Sequence, residues 1–228
     1  GRLLDAVDRH VGAGNSVVAF TGDHGVSPIP EQMSALGADA GRIITRELAQ
    51  RLNAALVPHL GDGPHVAAVY YTDVYFRPGV YDKLVASPGA MRAALDALAS
   101  APGIQRVFRS EDIGAGRFAS DPVARAVGFS YVPSRSGDLL LVPRPYWITS
   151  ASVATHGTFS SYDTRVPIVL IGSGIRPGEY LQPATPADIA PTFAWFAGIT
   201  LPRADGRVLR EAIETGAAAP AAKPAVRG

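Results

Sequence analysis

A carboxylate and an imidazole stand side by side in Thr21-Gly22-Asp23-His24-Gly25, directly after the apolar run at 16–21 and between glycines that let the backbone turn tightly. Asp offers a hard oxygen and His a borderline nitrogen, a pair suited to zinc or a similar divalent ion. Open α/β sheets bind ligands at that end of a strand. The same residues also make a turn in which Asp23 caps backbone N–H groups and His24 lies on the surface, and the dipeptide alone supports both readings equally. A further imidazole, in Thr155-His156-Gly157, lies in the long segment 143–165 and is flanked by small residues that let it face a cleft. An isolated histidine is more often a surface or hydrogen-bonded structural residue, so His156 gains weight only from its context.

The other candidates are weaker. His10 and Asp5 are five apart on a helix and face different sides. His59 follows Pro58 at a helix end, where a cation suits the macrodipole, and His65 opens a strand after Asp62-Gly63-Pro64; all three read as structural. Gly172-Ser173-Gly174 with Gly178 has the wrong spacing for a dinucleotide fingerprint, and Pro177 prevents the helix that would hold a pyrophosphate. No Gly-x-Ser-x-Gly elbow occurs, which weakens a serine hydrolase, and Ser160 and Ser161 read as loop-shaping residues.

The elements that must position Asp23, His24 and His156 follow from the pattern. Leu3, Leu4, Val7 and Val11 recur at helical spacing, and residues 16–21 read as a buried strand. Residues 39–60, with Ile43, Ile44, Leu48, Leu52, Ala55 and Leu56, predict one long amphipathic helix closed by Pro58 and Gly61. From 65 to 113 the order is strands at 66–71 and 74–76, a helix at 91–98 started by Pro88-Gly89, and a strand at 105–108, a small α+β insert. Its Tyr70, Tyr71, Tyr75 and Phe76 are expected to fill the insert's own core rather than face a substrate. Strands follow at 138–142 and 166–171, and a helix at 189–197 with Gly198 as its stop. The division expected is 1–64 and 114–213 as one α/β domain, 65–113 as the insert, and 214–228 as a disordered tail without large apolar groups.

Composition narrows the classes further. The 228 residues, at ~150 per domain, make one large domain or one with a modest insertion. A net charge of +1 without a basic block gives no reason to expect nucleic-acid binding. The absence of cysteine removes thiol nucleophiles, disulfides and Cys-ligated zinc. The apolar runs fall far short of the ~20 residues of a membrane span.

Three ordered stretches carry a family likeness. They are Val-Val-Ala-Phe-Thr-Gly-Asp-His-Gly at 17–25, Arg-Ser-Gly-Asp-Leu-Leu-Leu at 135–141, and Thr-His-Gly-Thr-Phe-Ser-Ser-Tyr-Asp-Thr-Arg-Val-Pro-Ile-Val-Leu-Ile-Gly-Ser-Gly-Ile at 155–175. Together they resemble the alkaline phosphatase superfamily, nearest its type I phosphodiesterase and nucleotide pyrophosphatase branch and the single-domain alkaline phosphatases with a threonine nucleophile. Ala-Thr-Pro-Ala-Asp-Ile-Ala-Pro-Thr-Phe-Ala-Trp-Phe-Ala-Gly-Ile at 184–199, followed by Asp205-Gly206-Arg207, is similar to a C-terminal signature shared with sulfatases. The likeness spans residues 3 to about 210 of this chain.

The resemblance implies an α/β fold with a mostly parallel sheet and helices on both faces, alkaline-phosphatase-like but incomplete. It implies two zinc ions, one held by Asp23 and His24 and the other by His156, acting on a small phosphate ester. Two ions about 4 Å apart stabilise the attacking and leaving oxygens of an in-line displacement. The family also has a first Asp ligand, a Thr or Ser nucleophile and an Asp-x-x-x-His pair upstream of the Asp-His turn, and this sequence contains none of them. It therefore reads as the C-terminal portion of a longer hydrolase, with an N-terminal half of its own polypeptide as the missing partner. The portion alone is expected to be inactive and to hold metal weakly or not at all. The family's usual export implies a periplasmic or secreted place. The alternatives are a non-catalytic α/β scaffold and a sulfatase-type relative. Arg135 has the guanidinium fork to meet a phosphate oxygen, although an arginine there is more often a solvated loop residue.

Overall fold

The computed structural model describes residues 1–118 and 120–214. The tail expected at 214–228 therefore lies outside the described residues from 215 onward, while Glu214 donates its backbone N–H to Gly174 O at 2.9 Å. In chain order the elements are α1 (Arg2–Val11), β1 (Val17–Thr21), α2 (Pro30–Ala35), β2 (Gly41–Arg42), α3 (Thr45–Leu60), β3 (Val66–Tyr70), β4 (Asp73–Phe76), α4 (Val80–Ala86), α5 (Pro88–Ala99) and β5 (Ile104–Arg109). There follow α6 (Ser110–Gly114), α7 (Pro122–Ser130), β6 (Leu139–Pro143), β7 (Trp147–Ile148), α8 (Ser161–Thr164), β8 (Ile168–Gly172) and α9 (Ile189–Phe196). They fall into two compact units, residues 24–165 and residues 1–23 with 166–214.

In the unit 24–165 a four-stranded sheet runs in the order β3-β4-β6-β5, all antiparallel. Strand β6 explains its layering. Its side chains alternate, so Leu139 and Leu141 enter one apolar cluster with Leu52, Leu56, Leu84 and Leu98, while Leu140 and Val142 enter a second with Phe108, Ile113 and Val127. Helices α3 and α5 supply the first layer and α6 and α7 the second. A fully buried leucine contributes about 1.5–3 kcal/mol, so this unit carries its own core.

Several expectations are corrected here. The sheets are small and mainly antiparallel rather than mostly parallel: β3 and β4 are joined by Tyr71 and Thr72 alone, a link too short for a parallel crossover, and β2 with β7 is the parallel pair among the described residues. The segment 65–113 closes its sheet only through β6, which lies between β4 and β5. Helix α3 starts at Thr45, not at 39, because Gly41 and Arg42 pair with Trp147 and Ile148; a Cβ on Gly41 would sit 2.6 Å from the Trp147 ring. Pro58 is accommodated inside the last turn, and Gly61 at φ 83 ends the helix. Of the four aromatics, Phe76 is buried and stacks on Tyr81 at 6.0 Å, while Tyr70 and Tyr71 are exposed at the hairpin tip and meet edge to face at 4.9 Å. Arg135 is an exposed loop residue.

Asp138, just before β6, accepts the Phe76 backbone N–H at 2.8 Å on Oδ2. Burial, with the charges of Asp82 and Glu111, raises its pKa above the ordinary carboxylate value despite that bond. The unfolded carboxyl then ionises at lower pH than the folded one, so its charge costs stability once pH rises through the ordinary value. Asp138→Asn keeps an acceptor for Phe76 and loses the charge. It is expected to melt above the parent at pH 7, with the difference vanishing below about pH 4, as thermal melts across pH would show.

In the other unit β1 and β8 form a two-stranded antiparallel sheet, Val17 opposite Gly172 through Thr21 opposite Ile168. Both strands are apolar runs, yet Phe20 is 65% exposed, Val169 43% and Ile171 50%, and α1 buries no residue. The segment after it is better locked. Thr185 and Asp188 form a capping box at the 3-10 turn Pro186–Asp188. Asp188 also accepts the Arg207 N–H at 2.7 Å, and Thr192 links Asp188 O to the Leu209 N–H through its hydroxyl. No helix among the described residues is long and apolar enough to cross a membrane.

Candidate metal centre

The chain segment after His24 lies along the segment that carries His156. Gly25 N–H donates to Asp163 O at 2.7 Å and Ser27 N–H to Thr155 O at 2.8 Å. Gly25 is required for this approach, since a Cβ there would overlap the Tyr162 carbonyl. The result is that the His24 and His156 rings stack, with centroids 3.6 Å apart and planes 13° from parallel. Both residues are exposed. His24 Nδ1 donates to its neighbour Gly25 O at 2.7 Å, a bond that helps to orient the ring.

Three side chains hold the His156 segment. At its far end Asp163, only 4% exposed, accepts the Thr158 N–H at 2.7 Å and hydroxyl at 2.6 Å through Oδ2, while its buried Oδ1 has no hydrogen-bond partner among the described residues. The adjacent Tyr162 accepts the Tyr146 N–H at 2.9 Å and stacks on the Tyr146 ring. At its near end Arg42 bonds the carbonyls of Ser150 and Ser152, both at 2.7 Å, and of Val153 at 3.3 Å. Its remaining donors meet the Glu31 carboxylate at 2.6 and 3.0 Å, and this bond holds Glu31 below the usual carboxylate range.

An imidazole lone pair lies in the ring plane, so two nearly parallel rings cannot converge on one cation from their faces. Of the three residues singled out in the sequence, the structure brings His24 and His156 together. Asp23 is exposed in the loop after β1 and belongs to the other unit. Among the described residues no group of three or more His, Asp or Glu side chains is arranged to hold a metal ion. Sequence reasoning missed Arg42 and Asp163. Arg42 sits in a two-residue strand with no motif around it, and the Ser-Ser-Tyr-Asp run gave only a turn signal.

No family model matches the chain. It is 28% identical over 215 residues to alkaline phosphatase PafA of Elizabethkingia meningoseptica, covering 92% of this chain and 39% of that protein. It is 31% identical over 236 residues to alkaline phosphatase PhoK of Sphingomonas sp (92% and 40%), and 26% identical over 218 residues to a protein of Myroides odoratus named calcium-transporting ATPase (93% and 39%). The crystal structure of wild-type PafA superposes with a TM-score of 0.80 at 27% identity, covering 93% of this chain and 41% of that one. Human ectonucleotide pyrophosphatase/phosphodiesterase 5 shares the fold, with a TM-score of 0.63 at 16% identity over 94% and 50% of the two chains. The architecture is thus an alkaline-phosphatase-like α/β fold. Over more than nine-tenths of its length the chain resembles members of the alkaline phosphatase superfamily. It spans about 40% of the length of the curated relatives it matches.

Proposed function

We propose that this chain is the C-terminal portion of a two-metal phosphoric ester hydrolase, supplying Asp23 and His24 to one ion and His156 to the other. The observation that carries the reading is the stacked pair His24 and His156, drawn together from distant positions at 3.6 Å with parallel planes. The donor set fits zinc, which accepts imidazole nitrogen and carboxylate oxygen. Bound there, the ions would act as Lewis acids on a phosphoryl group. This chain's own part is to orient: the Gly25 carbonyl sets the His24 ring, and Gly25, Ser27 and Asp163 keep the two histidine segments in register. The nucleophile and the remaining ligands belong to further polypeptide, so the chain alone turns over nothing and holds zinc weakly. A small phosphate ester is the substrate, and a periplasmic or secreted place follows the family's export.

The test uses the protein with the length its relatives have, loaded with zinc and assayed on p-nitrophenyl phosphate and bis-p-nitrophenyl phosphate. Hydrolysis of at least one ester is expected, with His24→Ala and His156→Ala each losing about 100-fold or more and binding less zinc. Failure on both esters, with zinc binding unchanged in the two variants, would overturn the reading. A sulfatase-type relative would instead cleave p-nitrophenyl sulfate.

A further inference from the structure

We infer that Arg42 is the positioning residue that presents His156, an inference resting on the metal-binding reading of the two histidines. All five guanidinium N–H donors are used: Nε and one of Nη2 on Glu31, both of Nη1 on Ser150 O and Ser152 O, and the second of Nη2 on Val153 O. Three carbonyls within four residues thus turn toward one planar cation, and the next fixed point is Thr155 O, bonded by Ser27 N–H. His156 follows immediately. The segment that carries it has no helix or strand of its own from 149 to 160, so these side-chain and backbone bonds set its path.

The ion pair itself is not what matters. Glu31 is 61% exposed and such a pair contributes little, whereas the Arg42 side chain is 24% exposed and its carbonyl bonds are charge-assisted. A lysine keeps the charge but offers three donors from one point, and it cannot reach three carbonyls and a carboxylate in one plane. Glu31 in turn aims the fork, since it occupies the edge of the guanidinium away from the loop.

The test reads the rings without activity. Stacked imidazoles shield each other, so the ring C–H protons of His24 and His156 in this chain are expected upfield of those of His10, and single His→Ala variants assign them. In R42K and R42M that mutual shift is lost, while the amide resonances of α3, α5 and β6 stay in place and report an intact core. In E31Q the shift is retained, because the three carbonyl bonds survive. Retention of the shift in both Arg42 variants, or its absence in the parent, would overturn the inference. Zinc titration of the same protons judges the metal reading separately: a parent whose two histidines ignore zinc in the protein of full relative length would sink that reading and leave the ring result standing. With zinc bound, R42K is expected to weaken affinity about 10-fold or more, as loss of an outer-sphere partner does.

Discussion

Gly25→Ala is expected to separate His24 from His156 and to destabilise the unit 24–165 by about 2–4 kcal/mol. The atoms a Cβ would meet are the Tyr162 carbonyl and the Asp163 Cα, all backbone, so no side chain can swing aside. The segment 25–27 must lift away, and the bonds from Gly25 N–H to Asp163 O and from Ser27 N–H to Thr155 O go with it. Each such bond is worth about 0.5–1.5 kcal/mol, and the backbone groups left without these partners add to the loss. Thermal melting measures the stability, and the shielding of the two ring systems measures the separation. An alanine variant with the parent's melting temperature and stacked rings would show that the close approach is not required.

Asp188→Ala is expected to cost about 3 kcal/mol or more in the unit 1–23 with 166–214. The carboxylate is 5% exposed and divides its oxygens between the Thr185 N–H at 2.8 Å and the Arg207 N–H at 2.7 Å. Removing it leaves two amide donors without their acceptor, each worth about 1.5–3 kcal/mol when the acceptor is charged. Asp188→Asn retains one acceptor oxygen and should lose roughly half as much. Denaturant unfolding of the three proteins at pH 7 gives the ranking, and an alanine variant as stable as the parent would contradict it. The Thr-Pro-Ala-Asp and Asp-Gly-Arg stretches of the C-terminal signature are therefore a structural lock. Gly206 passes so close to the Ala187 carbonyl that only glycine fits.

The sequence made visible what has a short period. Leu48, Leu52 and Leu56 announced α3, Pro88-Gly89 announced α5, and the continuous apolar run at 138–142 marked a strand that proved buried on both faces. Pairing direction was not legible, because an apolar run reads alike in parallel and antiparallel sheets; only the two-residue link between β3 and β4 decided it. The short helices α4, α6 and α7 went unnoticed, being too short for a clear periodic signal. At the candidate centre the residue types suggested His24 and His156, and the family resemblance named their roles. What places the two rings together is Gly25, Asp163 and Arg42, whose contacts are all long-range. A glycine needed for a backbone crossing looks, in sequence, like any turn glycine.

The thin β1 and β8 ribbon has a consequence for handling. Two strands with Phe20, Val169 and Ile171 turned to water, and with no other strand beside them among the described residues, offer sticky flanks and open hydrogen-bonding rims. Concentrated solutions of this chain by itself will clump through that ribbon, and a mild detergent or a lysine at position 169 is the practical remedy.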